Sequence, residues 1–140
     1  MAEVRRPERA TALVLVPAMT LVLLVLAAIA VDLAGEHAAQ RSVERAVTAA
    51  TDDAAGMIDS RRLQTDGELI IDPAAADRVL RAQLAAAQLP GTVERLDLTI
   101  DDEVVDVRVR VRIRHLFLGV LPGSDGTSSV PVHVRARLDR

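Results

Sequence analysis

The sequence predicts an α+β fold: an N-terminal transmembrane helix that continues into a long Ala-rich helix, then a second helix, then a small antiparallel sheet. Three observations carry this prediction. Residues 10–31 contain no charged side chain. Helical spacing continues from there to about Ile58 and resumes after Asp72-Pro73. In three segments between Leu96 and Leu138 apolar and polar residues alternate. A helical period that gives way to a period of two is the pattern of helices covering one face of an antiparallel sheet.

The apolar run comes first. At 1.5 Å rise per residue, 10–31 spans about 30 Å, the hydrocarbon thickness of a bilayer. Arg5, Arg6 and Arg9 precede it, whereas Asp32 and Glu36 follow it and the next basic residue is Arg41. Basic flanks stay on the cytoplasmic side. The expected layout is therefore a cytoplasmic N-terminus (1–9), a transmembrane helix (10–31) and an extracytoplasmic α+β domain (32–140), single-pass in a bacterial cytoplasmic membrane. Pro17 removes one backbone donor, which membrane helices tolerate. Ala28-Ile29-Ala30 has the A-x-A pattern of a signal-peptidase site, so a secreted soluble binding domain released after Ala30 is the alternative. An apolar run longer than the roughly 7–15 residues of a signal h-region favours the anchor.

Beyond Asp32, small residues recur at every fourth position: Ala30, Ala34, Ala38, Ser42, Ala46, Ala50 and Ala54. Such a row is a ridge on the helix, and when its members are small another backbone can approach closely. The row is the expected helix-packing surface, and the second half of the helix is expected to pack on the domain. Residues 60–72 read as a connection, with a turn at Asp66-Gly67 and a short apolar strand at Leu69-Ile70-Ile71. Asp72 as N-cap and Pro73 at the first position start a helix to about Gln88, apolar along Ala76, Val79, Leu80, Leu84 and Ala87. Pro90-Gly91 ends it. Leu96, Leu98 and Ile100 then alternate with polar residues, and Asp101-Asp102-Glu103 makes a turn. Val105, Val107, Val109, Val111 and Ile113 alternate with Asp106, Arg108, Arg110, Arg112 and Arg114. The last strand runs from Val130 to Leu138, and Pro131 places it at a sheet edge.

Composition restricts the chemistry. Cysteine, lysine, tyrosine and tryptophan are absent, and Phe117 is the only aromatic residue. Disulfides, thiolate metal sites and Cys nucleophiles are thereby excluded. Stacking on bases or sugars has almost no material, and a net charge of −3 also argues against a nucleic-acid partner. His37, His115 and His133 are scattered; His115 and His133 are expected near each other across the sheet, but no third ligand accompanies them. The acidic run 101–103 reads as a solvated turn rather than a cation loop. Ser124 lacks the G-x-S-x-G elbow and its strand-to-helix setting. No catalytic, cofactor-binding or metal-binding residues are assigned, and the chain reads as a non-enzyme.

Two surfaces remain as candidates. Arg108, Arg110, Arg112 and Arg114 point one way from one strand, and Arg135 and Arg137 point out from another. If those strands pair, like charges are expected to meet across the ladder, only partly relieved by Asp97 and Asp106. The face is either solvated, the favoured reading, or docks on an acidic partner, a phosphate-rich envelope polymer or anionic headgroups. The apolar loop Leu116, Phe117 and Leu118 is expected by default to tuck under the sheet; the alternative offers it to a partner or the bilayer.

The residues narrow the class further. Arg5, Arg6 and Arg9, an apolar span holding Pro17, then Val31-Asp32-Leu33 and an Ala-rich helix over 46–55 resemble the N-terminal region of Tad (Flp-type) pilus-assembly proteins of TadE/TadG type. The stretch 115–138, an apolar loop and an alternating strand, is also similar to that family's ending. The resemblance implies a pilin-like plan and a structural or accessory role in a Tad pilus or related secretion system. It implies other pilus or secretion-system proteins as partners, while the small-residue row of the N-terminal helix offers a surface for homo- or hetero-oligomers. In TadE-like members a glutamate follows a glycine cleavage site just inside the apolar segment. Here no glycine precedes the span, and Thr11, Ala12 and Leu13 stand where the glutamate would be. The resemblance therefore points to a TadG-like accessory that stays in the membrane rather than a processed filament subunit.

Overall fold

The computed structural model describes residues 7–120 and 123–138. The basic N-terminus with Arg5 and Arg6 lies outside them, as do Leu121 and Pro122. The chain forms α1 (Pro7–Ala55), α2 (Ser60–Thr65), α3 (Pro73–Ala86), β1 (Thr92–Asp101), β2 (Val104–Arg114) and β3 (Thr127–Arg137), with a 3-10 turn at Leu118–Val120. This is the α+β arrangement expected from the sequence.

A single helix of 49 residues, α1 is about 74 Å long. Its N-terminal half is long and apolar enough to cross a bilayer, and from Val14 on none of the described residues covers it. Val14 to Leu26 are uniformly exposed. Thr20, within this stretch, donates its hydroxyl to the Val16 carbonyl at 2.9 Å, so that polar group needs no solvent. The C-terminal half is core. Ala39, Val43, Val47, Ala50 and Ala54 are buried, and α1 packs there on β3, β2 and α3.

The small-residue row divides along the helix. Ala50 and Ala54 are buried and Ala46 is half-buried, whereas Ala30, Ala34, Ala38 and Ser42 are exposed. The geometry explains this. At 100° per residue, an i, i+4 row drifts about 40° per step, so its early members wind off the arc that faces the sheet. The buried arc instead follows mixed three- and four-residue steps through 32, 39, 43, 47, 50 and 54.

The helix α3 begins as its cap residues dictate. The Asp72 carboxylate accepts the N–H groups of Ala74 and Ala75 at 2.9 and 3.0 Å, and Pro73 follows at the first position. Ala76, Leu80 and Leu84 form its buried face. After it the chain turns through Gln88, at φ +45°, and Gly91, at φ +140°. A side chain on Gly91 would put its Cβ 2.3 Å from the Arg112 carbonyl oxygen, so only glycine fits. Gln88 occupies a left-handed position without needing its side chain there. Gln88→Gly is expected to stabilise the domain by about 0.5–1 kcal/mol, read as a rise in thermal midpoint.

The segment expected to be a plain connection contains α2. Asp59 caps it, accepting from the N–H groups of Arg61 and Arg62 at 3.0 and 3.1 Å. The short strand expected at 69–71 reduces to one bridge, Ile58 with Ile71. Ile71 is buried, and its N–H donates to the Asp102 carbonyl at 2.8 Å, tying this segment to the β1–β2 turn.

The sheet is antiparallel in the order β1-β2-β3. Its inner face carries the buried Val105, Val107, Val109, Val111, Ile113, Val130, Val132 and Ala136, with Leu96, Leu98 and Ile100 of β1 half-buried. Among the described residues no helix covers the outer face, where Arg108, Arg110, Pro131 and His133 are exposed. Pro131 lies in β3, an edge strand, where a residue without an N–H costs the ladder least.

Candidate functional site

Among the described residues the buried charged side chain is that of Asp32, the first residue after the uncharged run. It sits on the same arc of α1 as Val43 and Val47, yet it is only 4 % exposed. Its carboxylate accepts three successive backbone N–H groups of the β2–β3 loop: Leu116 at 2.9 Å, Phe117 at 2.9 Å and Leu118 at 2.6 Å. Burial pushes the Asp32 pKa upward, but these three donors and neighbouring His115 outweigh that and hold it below the ordinary value. The loop residues Leu116–Leu118 have no polar side chains of their own. Without Asp32 their N–H groups would compete for water beside an apolar surface.

This clamp decides where the apolar loop points. Its backbone, rather than its side chains, faces α1. Leu116 is consequently 77 % exposed and Phe117 48 % exposed, while Leu118 is half-buried. The default of burial under the sheet does not hold, because the donors on the backbone claim the side facing the helix. The loop closes on a close approach of two glycines. A Cβ on Gly126 would lie 2.6 Å from the Gly119 Cα, and the Gly126 φ of +63° suits glycine. The His115 N–H donates to the Gly126 carbonyl at 2.8 Å, completing the base of the loop.

The arginines stand as expected on the open face of the sheet, and Arg108, Arg110, Arg112, Arg114, Arg135 and Arg137 are all exposed. The expected like-charge clash between β2 and β3 does not occur. The register sets Arg108 against His133, Arg110 against Pro131, Arg112 against Ser129 and Arg114 against Thr127. Arg135 faces Asp106, and Arg137 faces Val104. Among the described residues the like-charge pair directly opposed across the sheet is Arg95 of β1 with Arg110, and Arg95 is held by Asp97 at 2.9 Å. Glu94 sits at the β1 bulge and pairs with Arg112. Asp106 receives His133 at 2.8 Å and Arg108 at 3.5 Å. The hydrogen bond from His133 is the main reason its pKa lies below the ordinary value, with the charges of His133, Arg108 and Arg135 adding to it against the cost of burial. Among the described residues, Arg110 and Arg114 make no ion pair.

His115 and His133 are not brought together. His115 lies in the loop beyond the end of β2, whereas His133 pairs with Asp106 about six residues further along β3, roughly 20 Å away. His37 is exposed on α1. Among the described residues no cluster of three His, Asp or Glu side chains could hold a metal ion. The run 101–103 forms the β1–β2 turn, whose Asp102 and Glu103 carbonyls accept from Ile71 and Leu138 at 2.8 Å each. The Ser124 hydroxyl oxygen accepts the Gly126 N–H at 3.1 Å, a local turn bond.

Asp32 was not singled out as a site by the sequence. The available signal was a carboxylate set directly against an apolar run, a position that requires compensation. Its partners lie more than eighty residues away in the chain, beyond the reach of local pattern. Comparison of the chain with family models, with curated proteins and with solved structures finds no match.

Proposed function

We propose that this chain is a membrane-anchored structural protein of the bacterial envelope, with its N-terminus cytoplasmic and its α+β domain outside. In this reading it is a TadG-like accessory of a Tad (Flp-type) pilus or a related secretion system. The observation that carries the anchor is α1 itself. One uninterrupted helix is bare and apolar in its first half and forms the core of the domain in its second. Such a helix joins the domain to the bilayer without a flexible linker. The pilus assignment rests on the resemblance of the N-terminal region and of the β2–β3 loop and β3.

The work of such a protein is contact rather than chemistry. Ala30, Ala34, Ala38 and Ser42 leave an open ridge of small side chains at the level where the apolar half ends. A neighbouring helix can lie close against it. The double substitution Ala34→Leu with Ala38→Leu is expected to leave the thermal midpoint of the domain unchanged and to weaken association, read as a lower yield of cross-linked oligomer in membranes.

The anchor is tested by the N-terminal sequence and intact mass of the protein recovered from washed membranes. An uncut chain in the membrane fraction is the expected result. A soluble protein beginning at Val31 would replace this reading with a secreted binding domain. A cut between Arg5 and Leu13 would mean prepilin-type processing and entry into a filament.

A further inference from the structure

We propose that the β2–β3 loop is a second membrane contact, with Leu116 and Phe117 seated in the interfacial layer of the bilayer that α1 crosses and Arg114 against its anionic headgroups; this rests on the membrane-anchor reading. The position of the loop is fixed by Asp32. Three N–H groups of the loop lie within 2.6–2.9 Å of that carboxylate, and Asp32 follows the last residue of the uncharged run directly. The loop is thus held at the level on α1 where the apolar half ends. Val31 and Leu116 line one cleft, with Asp32 between them. The exposed apolar residues of α1 and of the loop thus border the same cleft, at the same level of the helix.

The charges along the sheet fit this orientation. From Val104 to Arg114, β2 runs toward the end of the apolar half, and β3 runs back from it. The two ends of β2 are about 35 Å apart. Asp101, Asp102 and Glu103 occupy the far end with Arg137, whereas Arg112 and Arg114 stand at the near end, where Glu36 of α1 lines the same cleft. Arg112 is partly neutralised by Glu94, but Arg114 makes no ion pair among the described residues. Apolar tips beside an unpaired arginine combine burial in the headgroup boundary with attraction to anionic lipid. The clamp also removes the obstacle to such seating. The backbone donors that would need water at this depth are already satisfied by Asp32.

The absence of cysteine from the chain makes a direct test simple. The full chain carrying Phe117→Cys, labelled with a polarity-sensitive fluorophore, is reconstituted in phosphatidylcholine vesicles containing phosphatidylglycerol. Leu23→Cys and Ser60→Cys serve as references for the apolar half and the far end, and circular dichroism confirms folding. If Phe117→Cys disturbs the loop, Leu116→Cys replaces it. The expected result is quenching at 117 by a nitroxide carried near the lipid headgroup, several-fold stronger than at 60, with weak quenching by aqueous iodide. Adding Arg114→Gln should lessen the lipid quenching, more so when phosphatidylglycerol is present. Iodide quenching at 117 equal to that at 60, with position 23 still shielded, would overturn the loop contact and leave the anchor standing. Shielding at 117 from both quenchers would mean that protein, such as a second copy, covers the loop, and would also overturn it. Iodide access at position 23 would overturn the anchor and this contact together.

Discussion

Val47→Asp is expected to unfold the α+β domain while leaving the chain in the membrane fraction. Val47 has no exposed surface and lies mid-way along the buried arc of α1. Its loss removes about 1.5–3 kcal/mol of apolar burial. The carboxylate that replaces it would sit inside the apolar core cluster that α1 forms with the sheet valines, adding several kcal/mol. Together these rival the roughly 5–15 kcal/mol net stability of an ordinary domain. The apolar half of α1 is untouched by the change. Protease digestion of washed membranes should therefore yield a protected N-terminal fragment and no resistant domain. Val47→Ala is the graded control, with a cost of about 2 kcal/mol and a domain that still folds. A domain that stayed resistant with Asp at 47 would mean that α1 is not part of its core.

The second large effect is expected from Asp32→Ala. Three backbone N–H groups lose their acceptor at once, and the turn Leu118–Val120 loses its attachment to α1. The thermal midpoint should fall by on the order of 5 °C or more, and trypsin should cut sooner after Arg114. Asp32→Asn should be little better, because one of the two acceptor oxygens becomes an N–H donor pointed at other donors. Glu36→Ala, one turn further along α1, is the control and should leave the loop intact. Acid should imitate the mutation. The folded-state pKa of Asp32 is lowered, so its contribution is complete above the unfolded value near 3.9 and is lost as pH falls through the lower folded value. Asp106 is shifted in the same direction and adds to the same loss. Thermal midpoints should thus hold steady from neutrality down to about pH 5 and fall below about pH 4, with a shallower fall in Asp32→Ala.

The parts of the fold that were legible in the sequence are those written in local pattern. The Val/Arg alternation of β2 is readable because each inward residue meets the same buried environment, and the structure returns it almost residue for residue. Asp72-Pro73 announces α3 because a cap and a fixed φ act within one turn. The helix α2 was missed because it buries none of its residues and has only the Asp59 cap to mark it. The start of β1 was placed late because Thr92 and Val93 lie ahead of the bulge and are exposed, which hides their alternation. The arginine face was readable, but its register was not. A slip of four residues along β3 would set Arg110 against Arg135 instead of Pro131. The clamp at Asp32 and the outward turn of Phe117 depend on a contact between distant parts of the chain, which no window of sequence contains.

The unbroken course of α1 has a mechanical consequence. From Asp32 to its end at Ala55 the helix is a stiff arm of about 35 Å, rooted where its apolar half ends and fastened to the sheet along its length. A helix answers a change in bilayer thickness by tilting, and a tilt of about 10° swings the far end of such an arm through about 6 Å. The turn at 101–103 and α2 ride on that end. In the membrane-anchored arrangement proposed above, membrane thickness, and any neighbour that leans on the apolar half, would thereby set the height and aim of the surface presented furthest from the bilayer.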